Sequence, residues 1–298
     1  MVGRVATFAH SSKLLSLAMQ TQSRLAEKQV QEASGLISST YGGLGADAGS
    51  VVNLEVSLTR AQSYLSSAQT ALSRVEMMYS AVGGISDILT SIRSSVNGVI
   101  TEDQISDLQA LAASYLEDIS SLLNTRYEGR YLFGGGMTSP APVDTGSYVV
   151  TDLDTADTSY YSGDSVIQSV RISADRELSY GVTGDNAAFE ETLRVLSYLA
   201  NATDLTVAGL PEISEALVSA QDKVIAVQST LSIKAASLET AITREEDYIT
   251  AISETINSKK SVDVVALAAE IATMETQLQA SYSIIGKLSN FSLLDYLR

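Results

Sequence analysis

Residues 262–298 read VDVVALAAEIATMETQLQASYSIIGKLSNFSLLDYLR, and the fold turns on how this stretch is covered. Val264, Leu267, Ile271, Met274, Leu278, Ser281, Ile285 and Leu288 recur at alternating steps of three and four. That spacing lays one narrow apolar seam along a helix whose other faces are polar. A seam this narrow needs a partner helix. The stretch then closes on Phe291, Leu293, Leu294, Tyr296 and Leu297 with little polar interruption, although chain ends are ordinarily polar and frayed. A cover is therefore expected there too.

The nearest candidate cover is the first segment, where Leu14, Ala18, Thr21 and Leu25 form a weak helical stripe widened by Leu17 and Met19. That stripe is poor in large apolar side chains, so part of the C-terminal seam is expected to face other molecules. Ser34 to Ser50 (SGLISSTYGGLGADAGS) carries five glycines and reads as a joint. Beyond it Val51, Leu54, Leu58, Ala61, Leu65, Ala68, Leu72, Val75, Tyr79, Val82 and Leu89 hold heptad spacing for about six heptads. Gly83 and Gly84 predict either a weak point or a close helix contact there.

Thr101 and Gln104 read as a capping box opening a helix that carries Ile105, Leu108, Ala112, Tyr115, Ile119 and Leu122. The connection is short, so this helix should fold back antiparallel on its predecessor. At Arg126 to Gly136 aromatic and β-branched residues replace the helical stripe before three glycines. Strands are expected at 147–151, 159–161, 165–172 and 178–182, within an acidic insert containing Pro140 and Pro142. Helix returns over 186–201. From Pro211, well placed as a first helical residue, Leu217, Ala220, Val224, Val227, Leu231 and Leu238 continue a seam. The seam then slips to Ile242, Ile249, Ile252 and Ile256. The helices expected over 51–97 and 211–257 are equally long, so they should pack side by side.

The fold class follows: mainly α, a long antiparallel coiled-coil or helical bundle made from both ends of the chain, with a small β-rich insertion. Three domains are expected. Residues 1–50 with 258–298 form a terminal coiled coil, 51–133 with 187–257 a helical bundle, and 134–186 a β-rich outer insertion.

Composition narrows the chemistry. The chain has 298 residues, no Cys, no Trp, one His and three Pro, with a formal charge of -16. That charge argues against nucleic-acid binding. The start of the chain lacks an apolar run followed by a small-residue cleavage site, so no cleaved signal peptide is expected. No stretch is uniformly apolar over about 18 residues, so no membrane insertion is expected. His10 has no Cys or second His to join it, which leaves no triad or His-based metal site. Gly42-Gly43-Leu44-Gly45 and Gly134-Gly135-Gly136 lack the Lys and the strand–helix context of a phosphate loop. Asp152, Asp154 and Asp157 lack EF-hand order. No catalytic residue, cofactor or metal is expected, and the chain reads as a non-enzyme.

Several motifs carry a resemblance. Leu278-Gln279-Ala280-Ser281-Tyr282, Lys287-Leu288 and the ending Phe291-Ser292-Leu293-Leu294-Asp295-Tyr296-Leu297 are similar to the closing helix of the flagellin and flagellar hook-filament junction protein (hook-associated protein 3) family. Arg130, Tyr131, Leu132, Phe133, Gly134 and Gly135, preceded by Glu128-Gly129, resemble the GRYLFAG stretch of the junction proteins. Tyr160-Tyr161-Ser162-Gly163-Asp164 and Gly184-Asp185-Asn186-Ala187-Ala188-Phe189 look like further signatures of those proteins. The chain departs from the family at Leu36, where the family has Arg, and at Asp47, where it has paired Asp.

The resemblance implies a structural subunit of the bacterial flagellum, extracellular, exported unfolded through the flagellar type III route without a cleaved signal peptide. Its implied partners are further copies in a helical or ring assembly, the hook-side junction protein, flagellin and an export chaperone. The assembly interface is expected at Leu14, Leu25, Leu267, Ile271, Met274, Leu278, Ile285, Leu288, Leu293, Leu294 and Leu297. A flagellin of the filament itself is the alternative reading, and a helical secreted effector or signalling coiled coil is a further one.

Overall fold

The structure, a computed structural model, describes residues 2–137 and 139–290, with side chains at all of these except 2–9, 11 and 288–290. Six helices dominate: α1 Val2–Ser34, α2 Ala48–Gly98, α3 Ile105–Leu123, α4 Ala187–Asn201, α5 Leu210–Lys260 and α6 Val264–Asn290. Three short 3-10 helices, Tyr41–Asp47, Glu102–Gln104 and Val207–Gly209, and two antiparallel ribbons, β1 Arg126–Tyr127 with β2 Arg130–Tyr131 and β3 Ser169–Arg171 with β4 Glu177–Ser179, are also present. The mainly α class expected from the heptads is the class found. The chain divides into two compact units, one made of residues up to Thr59 together with those from Thr250 onward, the other of Arg60–Ile249.

In the larger unit α2 and α5 run antiparallel. The Gln221 amide donates to Thr90 Oγ1 at 2.8 Å and the Ser214 hydroxyl donates to Asn97 Oδ1 at 3.1 Å. Gly83 faces Gln228 in the same register, so each seven-residue step along α2 is matched by a seven-residue step back along α5. Along α2 Ala68, Ala71, Val75, Met78, Val82, Ile85, Leu89, Ile92 and Val96 are buried at three-four spacing, with Ala81 buried beside Val82. Met78 takes the place expected for Tyr79, which is exposed at 43%. Its thioether chain fills an apolar slot without a hydroxyl to satisfy.

The glycine pair in α2 is a place of close contact. A methyl at Gly84 would meet Leu122 of α3 at 3.1 Å, and one at Gly83 would meet the Gln228 amide of α5 at 3.3 Å. Gln104 Oε1 accepts from the backbone N–H of Ile100 and Thr101 at the start of α3, as the capping pattern predicts.

The acidic insert differs from its expected form. Residues 147–151 and 159–161 are not strands; Tyr161 makes only an isolated bridge to Val143. Their polar groups are satisfied otherwise. Val150 N–H donates to Ser197 Oγ at 3.1 Å, the Ser197 hydroxyl donates to Tyr148 O at 2.9 Å, and the Tyr148 hydroxyl donates to Asp157 O at 3.0 Å. Tyr148, Val150 and Tyr160 are thereby buried in the same core as α4. That contact explains why α4 is buried on nearly every face, Glu190, Glu191, Thr192 and Ser197 included, rather than on the single Phe189–Leu199 face seen in its periodicity.

Candidate functional site

α1 and α6 lie antiparallel in the smaller unit. Lys28 Nζ meets Glu270 Oε2 at 2.8 Å, and the Tyr282 hydroxyl donates to Gln22 Oε1 at 3.3 Å. Leu25, Leu267 and Ile271 are buried together, with Val262 and Met274 packed against them, and Ala18 is also buried. Leu14, Leu278 and Ile285 are half-buried along the same two helices. The Leu288 side chain and all of Leu293, Leu294 and Leu297 lie outside the described residues.

The pairing leaves much apolar surface open. Leu15, Leu17, Met19 and Val30 on α1 are 49–67% exposed, and Val265, Tyr282 and Ile284 on α6 are 45–83% exposed. Val264, assigned to the seam by spacing, is also exposed at 45%; Asp263 accepts the N–H of Val265 and Ala266 there, so Val264 lies in the capped first turn ahead of the buried stretch. Among the described side chains Leu25, Leu267 and Ile271 are the large buried apolar residues of this pair, a thin core, and at about 100° per residue Leu15, Met19 and Val30 share one open side of α1 while Leu17, Val265 and Ile284 are open at other angles.

The family-motif residues meet elsewhere, in the larger unit. Leu132 and Phe133 are buried, and the Phe133 ring packs edge-on against Phe189 at 5.7 Å. Phe133 O accepts from Gly184 N–H at 2.8 Å, and the Tyr161 hydroxyl lies 3.0 Å from Phe133 O and 2.8 Å from Asp164 O. Asp164 Oδ1 accepts from Gly136 N–H at 2.7 Å, and the Tyr160 hydroxyl donates to Gly184 O at 2.9 Å. The three sequence signatures, 128–135, 160–164 and 184–189, thus close into one knot, with Gly136 next to the first of them. Gly135 has φ +68 with Asp164 O only 2.2 Å from where a methyl would sit, so both the conformation and the space require glycine. Arg130 and Tyr131 are half-buried beside it, with the Arg126 guanidinium 4.1 Å above the Tyr131 ring.

Burial shapes the electrostatics of this knot. Desolvation pushes the Tyr148 and Tyr160 hydroxyls well above their ordinary range and raises Tyr161 to about 12, with Asp185 and Asp164 adding to the last. Glu190 is buried and satisfied by Arg194 Nε at 2.8 Å and Asp157 N–H at 2.9 Å. These groups are paired with one another and serve packing. Sequence reasoning missed the Glu190–Arg194 pair, for which the i,i+4 spacing was the available signal. Among the described residues no cluster of His, Cys, Asp or Glu could hold a metal, and no helix is long and apolar enough to cross a membrane. A groove of about 370 Å³ beside α5 is rimmed by Lys223 and Lys234, but Lys223 is engaged with Glu191 at 2.7 Å.

Fold and site together define a mainly helical protein in which α1 and α6 pair with each other, while a glycine–tyrosine knot holds the insert together within the larger unit. No family profile matches the chain, and no curated protein matches it in sequence. Among solved structures, its fold is similar to that of a protein described as a flagellar hook-associated protein from Vibrio parahaemolyticus. The two have a TM-score of 0.58 and 16% identity over 72% of this chain and 97% of that one. It is also similar to FlgL of Bacillus cereus, with a TM-score of 0.55 and 16% identity over 70% of this chain and 98% of that one. At this identity the likeness is one of fold.

Proposed function

We propose that the chain is a structural, non-enzymatic subunit of the bacterial flagellum, the hook-filament junction protein, which assembles with further copies through α1 and α6. The observation that carries this reading is the α1/α6 pair, whose thin core leaves Leu15, Met19 and Val30 open on one side of α1 and Val265 and Ile284 open on α6. The fold shared with a flagellar hook-associated protein and with FlgL supports the flagellar assignment, and the resemblance of residues 129–135 to the junction proteins favours the junction protein over flagellin. In this reading 1–50 with 258–298 form the polymer core, 51–133 with 187–257 the surrounding bundle, and 134–186 the outward insertion. Export proceeds unfolded by the flagellar type III route, a chaperone covers the α6 seam, and neighbours are the hook-side junction protein and flagellin. Ordering costs about 1 to 2 kcal/mol per residue, so burial of the open faces by neighbours couples assembly to completion of the fold.

The test is electron microscopy of cells carrying a label on the acidic insert. A single ring of label near the hook is the expected result. Label along the whole filament would assign the chain to flagellin instead, and absence of flagellar label would overturn the assignment. A chain lacking Ser289 to Arg298 should keep its larger unit folded yet fail to join the polymer.

A further inference from the structure

The connection between α1 and α2 crosses the connection between α5 and α6, and the crossing is fastened almost entirely by polar groups. Gly35, at φ +69, ends α1. Val262 N–H donates to Gly35 O at 3.0 Å and Ile37 N–H donates to Lys260 O at 2.7 Å, so two backbone bonds tie the segments. Side chains add a second tier. The two oxygens of Glu55 on α2 are divided between partners: Oε2 accepts from the Tyr41 hydroxyl at 2.5 Å and Oε1 from Lys260 Nζ at 2.6 Å. The same ammonium stands 5.6 Å from the centre of the Tyr41 ring. Lys259 Nζ meets Asp47 Oδ1 at 2.5 Å.

Apolar support at this crossing is slight. Leu44 is the sole buried side chain between Gly35 and Asp47, and it reaches a small cluster of Val51, Ile252 and Ile256 with Ala48, Leu54 and Leu58 partly buried against it. Tyr41 and Ile37 are exposed at 49% and 37%. Contacts between water-accessible charges are individually weak and screened by salt. A segment held this way opens locally at low cost while its flanking helices persist.

We infer that Tyr41, Asp47, Glu55, Lys259 and Lys260 form an ionic latch, which closes residues 35–47 onto the start of α2 and the end of α5 and opens with rising ionic strength. Glu55 is its centre, since one carboxylate joins the connecting segment to the last turn of α5. Lys259 and Lys260 also lie in that last turn, where positive charge offsets the open carbonyls. Opening frees residues 35–47 without unfolding α1, α6 or the larger unit. The latch belongs to the free chain and does not depend on the assembly reading.

The test is hydrogen exchange on the full chain, comparing it with Glu55→Gln and Lys260→Gln between about 0.02 and 0.5 M salt, across which the screening length falls from roughly 20 Å to roughly 4 Å. At low salt each variant should speed exchange at Ile37, Gly43 and Val262 about fivefold, the upper range for an exposed pair. Helix amides of α1, α6 and the larger unit should be unchanged, and the variant effect should vanish at high salt. Unchanged exchange at the three amides in both variants would overturn the latch. So would a variant effect that survives high salt, or one that spreads equally through α1 and α6.

Discussion

Replacing Leu267 by Ala should loosen the α1/α6 hairpin and nothing else. Leu267 is 2% exposed, and its large buried companions are Leu25 and Ile271. Truncation of a buried Leu costs about 2 to 5 kcal/mol, and the upper end requires a rigid wall that cannot collapse. Here Met274 and Val262 are only half-buried and the hole borders solvent, so about 2 kcal/mol is expected. At 1.4 kcal/mol per tenfold, that is roughly a 30-fold rise in the opening equilibrium. Hydrogen exchange should show it as faster exchange across α1 from Ala18 to Val30 and across α6, with α2 to α4 unaffected. Val265→Ala is the control, because Val265 is 83% exposed and should shift stability by less than about 0.5 kcal/mol. Exchange in α1 and α6 within about twofold of the parent would refute a hairpin held by so small a core. Equal acceleration in the larger unit would refute its independence.

Gly135→Ala should destabilise the larger unit by about 2 to 4 kcal/mol, since a methyl would strike Asp164 from a left-handed conformation. Gly129→Ala, at φ +78 with open space around it, should cost only about 1 kcal/mol; equal losses in thermal unfolding would mean the knot is loose. Glu190→Ala strands Arg194, whose side chain is 11% exposed, and should cost about 3 to 5 kcal/mol by denaturant unfolding. Tyr148, Tyr160 and Tyr161 have folded pKa values raised above their ordinary 10.0. Their contribution to stability is therefore complete below pH 10 and lost as pH rises through the folded values. Ultraviolet titration should find them still protonated near pH 11 in the folded chain, and normal titration of every tyrosine would contradict their burial.

The heptads of α2 and α5 and the stripes of α1 and α6 were legible because helix burial is periodic and each stripe is local to its own segment. Spacing marked the Leu14–Leu25 stripe as a cover for the C-terminal seam, while the register that sets Leu25 against Leu267 and Ile271 came from the packing. Tyr79 was misplaced because the three-four pattern admits either of two adjacent residues, and only the packed neighbour chooses Met78. The strands expected at 147–151 and 159–161 failed for a related reason. Alternation marks an extended segment, while the partner that turns it into a strand lies far off in sequence; here Tyr148 and Val150 found Ser197 of α4 instead.

The amino-acid sequence by itself determined the helices, their equal lengths, the glycine joint and the absence of thiol and paired-imidazole chemistry, since all of these rest on residue type and short-range spacing. Tertiary structure decided what long-range contact alone can set. It gathered three separate signatures around Gly135, Tyr161 and Asp164, divided the two oxygens of Glu55 between Tyr41 and Lys260, and left the outer faces of α1 and α6 open. The seam at 262–298 announced that a partner was required. The fold shows that α1 covers its described part around Leu267 and Ile271.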